Sequence, residues 1–265
     1  MTPDRAVPQS FGRHPVEHVE GDPAAGVLIL CDHASRHVPA DYGDLGLPPA
    51  QFERHIAYDI GAAAVTRRLA RELGAPALLT DFSRLIIDPN RGEDDPTLVM
   101  RLSDGAIVPG NARADATEIE RRLARFHRPY DAAIAAAIDA AVAAGAPPAV
   151  ISIHSFTPVW KGVPRPWHAA VLWDRDPTLA LPLLAAFAAE TDLVVGDNEP
   201  YRGGLPGDTI DRHATKRGLP NALIELRQDL IADDAAAEAW GVRLAGLLRP
   251  LLCGGGKAAG AAARG

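Results

Sequence analysis

Cysteine is nearly missing from this chain of 265 residues, which holds only Cys31 and Cys253. One lies in an apolar, strand-like run and the other beside a Gly/Ala-rich tail, so no disulfide framework is expected. Long hydrophobic runs are missing too. Nothing approaches the roughly 20 apolar residues that a membrane-spanning helix needs. The segment 1–21, rich in proline, histidine and charge, has no apolar core of a signal peptide. Positive charge is in deficit: 27 Lys and Arg against 34 Asp and Glu give 27 − 34 = −7. That balance argues against nucleic acid and anionic membranes as partners. It leaves room for a small anionic substrate held by a local arginine cluster. No Gly-x-Ser-x-Gly elbow is present, which removes a main sequence signal for a serine hydrolase. There is no internal repeat and no interior linker. The expectation is a cytoplasmic enzyme with a flexible N-terminal segment (1–15), one domain (16–252) and a disordered Gly/Ala tail (253–265). The sequence carries no signal of oligomeric state.

What is present is an alternation of short apolar runs with Ala-rich helical stretches. Strands are expected at Val27–Leu30, Ala77–Thr80, Leu85–Ile87, Ala149–Ile153, Ala169–Trp173, Asp192–Val195 and Ala222–Glu225. Helices are expected from about Pro49 to Leu73, Thr117 to Ala144, Pro177 to Glu190 and Asp233 to Leu252. Asp115-Ala-Thr-Glu118 reads as a capping box, and Pro129 should break or kink its helix after His127. The pattern is that of an α/β fold, with a mainly parallel or mixed central sheet and helices on both faces.

Three of the runs end in chemistry. Gly26-Val-Leu-Ile-Leu-Cys-Asp-His33 and Pro148-Ala-Val-Ile-Ser-Ile-His154 end in histidine, and Asn221-Ala-Leu-Ile-Glu225 ends in glutamate. Open α/β sheets hold ligands at the carboxyl ends of their strands. Two imidazoles and a carboxylate at one sheet edge suit a zinc hydrolase. A third zinc ligand is needed. Asp59 is the candidate, because His55 and Asp59 would share one face of a helix; a surface hydrogen bond is the alternative for it. Asp32 is disfavoured, since strand alternation points it away from His33. Glu225 would be costly to bury unpaired. It is either a general base with a raised pKa or the partner of Arg227. Arg84, Asn90 and Arg91 fall together around a strand and a turn. Guanidinium groups bind carboxylates bidentately, although each arginine could instead pair with Asp81 or Asp88. The connection 196–220 carries Tyr201-Arg-Gly-Gly and Asp211-Arg-His213, and long loops of this kind are often functional. Trp160 and Trp167, in the loop after His154, could form a lid.

Together these residues resemble the N-formylglutamate amidohydrolase family. The stretches that carry the likeness are Cys31-Asp-His-Ala-Ser, His55-Ile-Ala-Tyr-Asp-Ile-Gly-Ala62, Ser83-Arg-Leu-Ile-Ile-Asp-Pro-Asn-Arg91, Ile153-His-Ser-Phe-Thr-Pro158 and Ile224-Glu-Leu-Arg-Gln-Asp-Leu230. They run in order from about Val16 to Leu252. The resemblance implies a zinc carboxypeptidase-like fold, with aspartoacylase and succinylglutamate desuccinylase as more distant relatives. It implies that His33 and His154 bind one zinc per chain, that Asn90 and Arg91 hold the substrate carboxylate, and that Glu225 activates water. The relatives place an acidic ligand three residues after the first histidine. Here that position is Arg36, so the carboxylate comes from elsewhere, and Asp59 fills the gap by inference.

The expected activity is zinc-dependent hydrolysis of an N-acyl acidic amino acid: N-formyl-L-glutamate to formate and L-glutamate, as in histidine catabolism. The expected site comprises Glu225 as base, His33, Asp59 and His154 as ligands, and Arg84, Asn90, Arg91, Arg227, Tyr201 and His213 around the substrate. Three alternatives stand beside it. One is a related deacylase with another acyl group or amino acid. Another is metal-free acyl transfer by Ser35 or Ser155. The last is a non-catalytic amino-acid-binding protein that has lost the metal.

Overall fold

A computed structural model describes residues 13–254. The first twelve residues of the expected flexible segment, and nearly all of the expected Gly/Ala tail, lie outside the described residues. Strand β1 (Val16–Val19) precedes β2 (Val27–Cys31), helix α1 (Ala62–Leu73) and β3 (Ala77–Thr80). A hairpin of β4 (Leu102–Ser103) and β5 (Ala106–Ile107) leads to α2 (Pro109–Ala112), α3 (Ala116–Arg122) and α4 (Arg128–Ala143). Next come β6 (Ala149–Phe156), a second hairpin of β7 (Val159–Trp160) and β8 (Val163–Pro164), β9 (Ala169–Leu172) and α5 (Ala180–Ala188). The chain ends with β10 (Val195–Asp197), α6 (Thr209–His213), β11 (Asn221–Arg227) and α7 (Asp234–Gly254).

Seven strands form one sheet in the order β1-β3-β2-β6-β11-β9-β10. The neighbours β3/β2, β2/β6, β6/β11 and β9/β10 are parallel, and β1/β3 and β11/β9 are antiparallel. The expected mixed, mainly parallel α/β sheet is therefore what forms. Its centre is apolar on both faces because helices cover both. Val27, Ile29, Cys31, Ile151, Ile153 and Ile224 pack against Val65 and Leu69 of α1 and Leu244 and Leu248 of α7. The alternate residues Leu28, Leu30, Val150 and Leu223 pack against Tyr130, Ile134 and Ile138 of α4. This is the period-two alternation of a strand, with each set facing its own layer.

Several elements differ from the sequence reading. The helix expected from Pro49 is a single 3-10 turn, Pro49–Glu53, and α1 begins only at Ala62. Gly61 precedes it with φ +81°, and a Cβ there would meet the Ile231 carbonyl oxygen at 2.2 Å. The chain thus turns sharply at a glycine instead of running on as helix. From Ala62 the buried positions Val65, Thr66, Leu69 and Ala70 follow helical spacing. Leu85–Ile87 is not a strand. Ile86 N–H donates to Ser83 O and Leu85 N–H to Ser83 Oγ, so a buried turn uses these donors locally. Its side chains fill a third apolar cluster with Phe82, Leu98 and Phe126. Composition alone cannot separate such a run from a buried strand. The strand expected at Asp192–Val195 lies at Val195–Asp197, and β1 was not foreseen.

The helix expected from Thr117 opens as the sequence suggests, with the Asp115 carboxylate accepting from Glu118 N–H. Pro129 does not end it. A wide π-type turn at Leu123–His127 separates α3 from α4, and the proline sits in the first turn of α4. There its missing N–H costs little.

Candidate metal centre

The parallel register builds the site. In β11 and β6, Glu225 lies directly beside His154, and in β2 and β6, Leu30 lies beside Ser152. Strand alternation then places Asp32, Ser152, His154 and Glu225 toward the α4 side of the sheet. His33 follows Asp32 at the end of β2. Asp59 arrives from the loop before α1, where its N–H donates to His33 O at 2.9 Å. His33, Asp59, His154 and Glu225 are all buried.

The ligand atoms of His33, Asp59 and His154 all lie within 4.8 Å of one another. The Asp59 Oδ2 atom stands 3.3 Å from His33 Nδ1 and 2.9 Å from His154 Nδ1. The other ring nitrogens are taken: His33 Nε2 by Asp88 Oδ1 at 2.7 Å, and His154 Nε2 by Asp32 Oδ2 at 2.9 Å. Asp32 is held in turn by Ser152 Oγ at 2.7 Å. Arg84 holds Asp88 Oδ2 through Nε and Nη2 at 3.1 and 2.6 Å. A histidine that donates Nε2–H to a carboxylate keeps a lone pair on Nδ1. Carboxylates placed in this way orient histidines for a metal and raise their basicity. Two such lone pairs and a carboxylate oxygen then converge on one point, an arrangement that calls for a cation.

The local charge agrees. Asp32, Asp59, Asp88 and Glu225 are four carboxylates, and among the described residues Arg84 is the one fixed cation bound to them, so with every carboxylate ionised and both imidazoles neutral the cluster carries −4 + 1 = −3. A divalent ion offsets most of that. Burial and the neighbouring imidazoles and guanidinium set the titrations. Burial opposes ionisation of Asp59, but His33 and His154 outweigh it and hold its carboxyl well below the usual range. Burial likewise opposes ionisation of Asp88, and Arg84 and His33 overcome it. Glu225 has no such rescue. Burial raises it to about 7, with His154 offsetting only part of the effect.

These groups open into a cavity of about 430 Å³, lined also by His55, Arg84, Asn90, Arg91, Tyr201, Arg202, Asp208 and Gln228. Asn90 Oδ1 accepts from Thr209 N–H at 2.9 Å. A backbone N–H can only donate, so this fixes the carboxamide and leaves its NH₂ for the cavity. Arg91 donates to Asn90 O and Thr97 Oγ1. Its loop is tied down from behind. The Arg212 guanidinium donates to the carbonyls of Pro89, Arg91 and Gly207, and His127 Nε2 lies 2.9 Å from Arg91 O.

Two of the expected substrate contacts are placed elsewhere. His213 does not line the cavity. Its Nε2 bonds Asp131 at 2.7 Å, beside Arg212, because α6 turns that ring toward α4. Arg227 is bound to Asp229 and to the carbonyls of Arg165 and Trp167, so it is neither in the cavity nor the partner of Glu225. Arg84 lines the cavity, but its guanidinium is taken up by Asp88 and, at 3.6 Å, Asp59. Asp59 does not share a helix with His55: His55 lies in a turn and Asp59 in irregular chain, both before α1. Trp160 stands over His55, with ring centroids 6.2 Å apart, and neither it nor Trp167 reaches the cavity wall. Ser155 Oγ donates to Ile60 O and Ser35 Oγ to Asp81, so neither hydroxyl is engaged by an imidazole. Arg36 pairs with Glu53 at the surface.

Sequence reasoning missed Asp32 and Asp88 as histidine partners, and Arg202, Asp208 and Gln228 as wall residues. For Asp32 the signal was available: alternation pointing it away from His33 points it toward the neighbouring strand's Ser152 and His154. Gln228 lay inside the stretch Ile224–Leu230 and Asp208 inside the 196–220 connection, but neither stood out from its neighbours there.

Comparison with known families gives a match to N-formylglutamate amidohydrolase over residues 25–232. The chain belongs to this family. It is similar to gene product Atu2144 of Agrobacterium tumefaciens, at 35% identity and TM-score 0.85, over 91% of this chain and 96% of that one. It is also similar to N-formylglutamate amidohydrolase from Ralstonia eutropha JMP134, at 21% identity and TM-score 0.64, over 90% and 99%. A putative carboxypeptidase A from Shewanella denitrificans OS-217 aligns at 10% identity and TM-score 0.42, over 90% and 60%. Among curated proteins no sequence matches. Membership makes the chain an amidohydrolase-family protein whose substrate is a small amino-acid derivative. Among the described residues no helix is long and apolar enough to cross a membrane.

Proposed function

We propose that the protein is a zinc-dependent amidohydrolase that cleaves N-formyl-L-glutamate to formate and L-glutamate, with His33, Asp59 and His154 as the metal ligands. The observation that carries this reading is the position of Glu225: a buried carboxylate beside His154, on the wall of the cavity that holds the three candidate ligands. Two imidazole nitrogens and one carboxylate oxygen form a donor set that zinc takes in hydrolases, with a position left for water. Zinc in such a site supplies Lewis acidity, which polarises a carbonyl and acidifies a water.

The chain's own residues do the rest. Glu225 Oε2 is buried and has no hydrogen-bond partner among the described residues. A carboxylate raised to about 7 is matched to taking a proton from water near neutral pH and returning it to the leaving amine. The Asn90 amide and the Arg91 guanidinium orient the substrate α-carboxylate. Asp32 and Asp88 hold the imidazoles in place, and Arg84 holds Asp88. The formyl group needs little acyl room. Histidine catabolism and a cytoplasmic location fit this substrate and the acidic composition.

The test is metal analysis of the purified protein, followed by formate release from N-formyl-L-glutamate with and without chelator. Zinc near one per chain with chelator-sensitive turnover is expected. Turnover unaffected by full metal removal would sink the metal assignment. Activity on N-acetyl or N-succinyl substrates alone would replace the formyl group.

A further inference from the structure

The cavity wall carries three arginines, Arg84, Arg91 and Arg202, and their charges are not equally free. Arg84 is neutralised by Asp88 and Asp59. Among the described residues Arg91 hydrogen-bonds only neutral oxygens, Asn90 O and Thr97 Oγ1. Arg202 forms neither an ion pair nor a hydrogen bond among the described residues. The cavity thus offers two guanidinium groups without a carboxylate partner among the described residues. One follows β3 and the other follows β10, at opposite flanks of the sheet centre.

The backbone that carries Arg202 is fixed in place. The Asn198 side-chain oxygen accepts from Trp173 N–H at 3.0 Å and Gly203 N–H at 2.9 Å, strapping the loop to the end of β9. Gly203 lies so close to Trp173 that a Cβ would meet its backbone nitrogen at 2.4 Å. Gly204 takes a left-handed φ of +79°, against Asp174. Apolar side chains line the same cavity, Leu172 and Leu223 as cross-strand neighbours and Leu205 from this loop. They suit the methylenes of a side chain that ends in a charge.

From this geometry we infer that Arg202 reads the side-chain carboxylate of a dicarboxylic N-acylamino acid, while Arg91 holds the α-carboxylate. The inference rests on the proposed function and specifies which residue sets the preference for an acidic amino acid. A planar guanidinium with no competing partner can bind a carboxylate through two parallel hydrogen bonds. A substrate without that carboxylate forgoes them.

The test compares N-formyl-L-glutamate with N-formyl-L-norvaline, which keeps the α-carboxylate and the carbon chain but ends in a methyl group. For the wild type, kcat/KM should favour the glutamate compound. In Arg202→Met that ratio should fall roughly tenfold to a hundredfold, the range for one hydrogen bond to a charged group, with most of the change in KM. In Arg202→Glu the preference should move to N-formyl-L-2,4-diaminobutyrate, whose side chain is cationic. General damage to the fold lowers both substrates together and leaves the ratio where it was. An unchanged ratio in Arg202→Met, or no wild-type preference, overturns the inference while leaving amidohydrolase activity intact. If the wild type cleaves no N-formylamino acid, the proposed function fails. Titration calorimetry with the same two compounds then reads the ratio directly, and equal affinities overturn the inference.

Discussion

Replacing Glu225 with glutamine should make the metal-free protein more stable and the loaded enzyme nearly inactive. The carboxylate is buried, its Oε2 has no partner among the described residues, and Arg227, the obvious counter-ion by sequence, is bound to Asp229. Burial raises its pKa from 4.5 to about 7. In the folded state it therefore binds its proton more tightly than in the unfolded chain. Below pH 4.5 both states are protonated and burial of the carboxyl carries no ionisation penalty. Between pH 4.5 and about 7 the unfolded chain gives up this proton while the folded protein keeps it, so stability falls across that window relative to a neutral isostere, and the loss is complete above 7. A shift of about 2.5 units at 1.36 kcal/mol each corresponds to about 3 kcal/mol at pH 8. For a chain of this size that is roughly 6–12 °C in Tm. Glu225→Gln, stripped of metal, should melt higher than wild type at pH 8, and the two should converge near pH 4.5. Metal-loaded Glu225→Gln should lose roughly a hundredfold or more in kcat, the scale of general acid–base catalysis, and lose the acidic limb of the pH profile near 7. Thermal melts across pH settle it. A lower Tm for the variant at pH 8 would mean that Glu225 is held by a favourable ion pair, and the argument for a poised base would fall.

His33→Ala and His154→Ala should each lose most bound zinc, read by metal analysis after dialysis; full occupancy in both would refute the ligand assignment. Asp32→Asn and Asp88→Asn should bind zinc roughly 10- to 100-fold more weakly in a chelator competition, since each removes the negative charge behind the imidazole it holds. Asp59→Asn should weaken zinc binding further than either, because its oxygen faces both imidazoles. Arg212→Met frees the carbonyls of Pro89 and Arg91, so KM should rise more than kcat falls while zinc content stays constant.

The strands and their termini were legible because burial on both faces demands apolar runs, and a polar residue ending such a run is conspicuous. His33, His154 and Glu225 could be picked out on that ground alone. Register could not be read, and register is what sets Glu225 beside His154. The loops were legible only in part. Asp59 was placed on a helix with His55, yet Gly61 delays α1 and leaves both residues in the non-helical chain before it. Arg36, at the position where the resemblance implies an acidic ligand, looked like a defect. In the structure Arg36 is a surface residue paired with Glu53, and a carboxylate 26 residues after His33 lies between the two imidazoles.

The arginines show most clearly what sequence withholds. Arg84 and Arg91 looked alike as carboxylate readers, seven positions apart in one motif. The structure separates them by their partners: Asp88 and Asp59 occupy one, and among the described residues the other hydrogen-bonds only neutral oxygens. Charge availability depends on what folds against a side chain, and local sequence does not carry that information. The same consideration turns Asp88 from a turn residue into a link between Arg84 and His33. The motif Ser83-Arg-Leu-Ile-Ile-Asp-Pro-Asn-Arg91 thus serves two ends of the cavity. Asp88, held by Arg84, bonds the His33 imidazole, and Asn90 and Arg91 line the cavity. One short segment joins the chemistry to its ligand, so shifting it should disturb metal affinity and KM together.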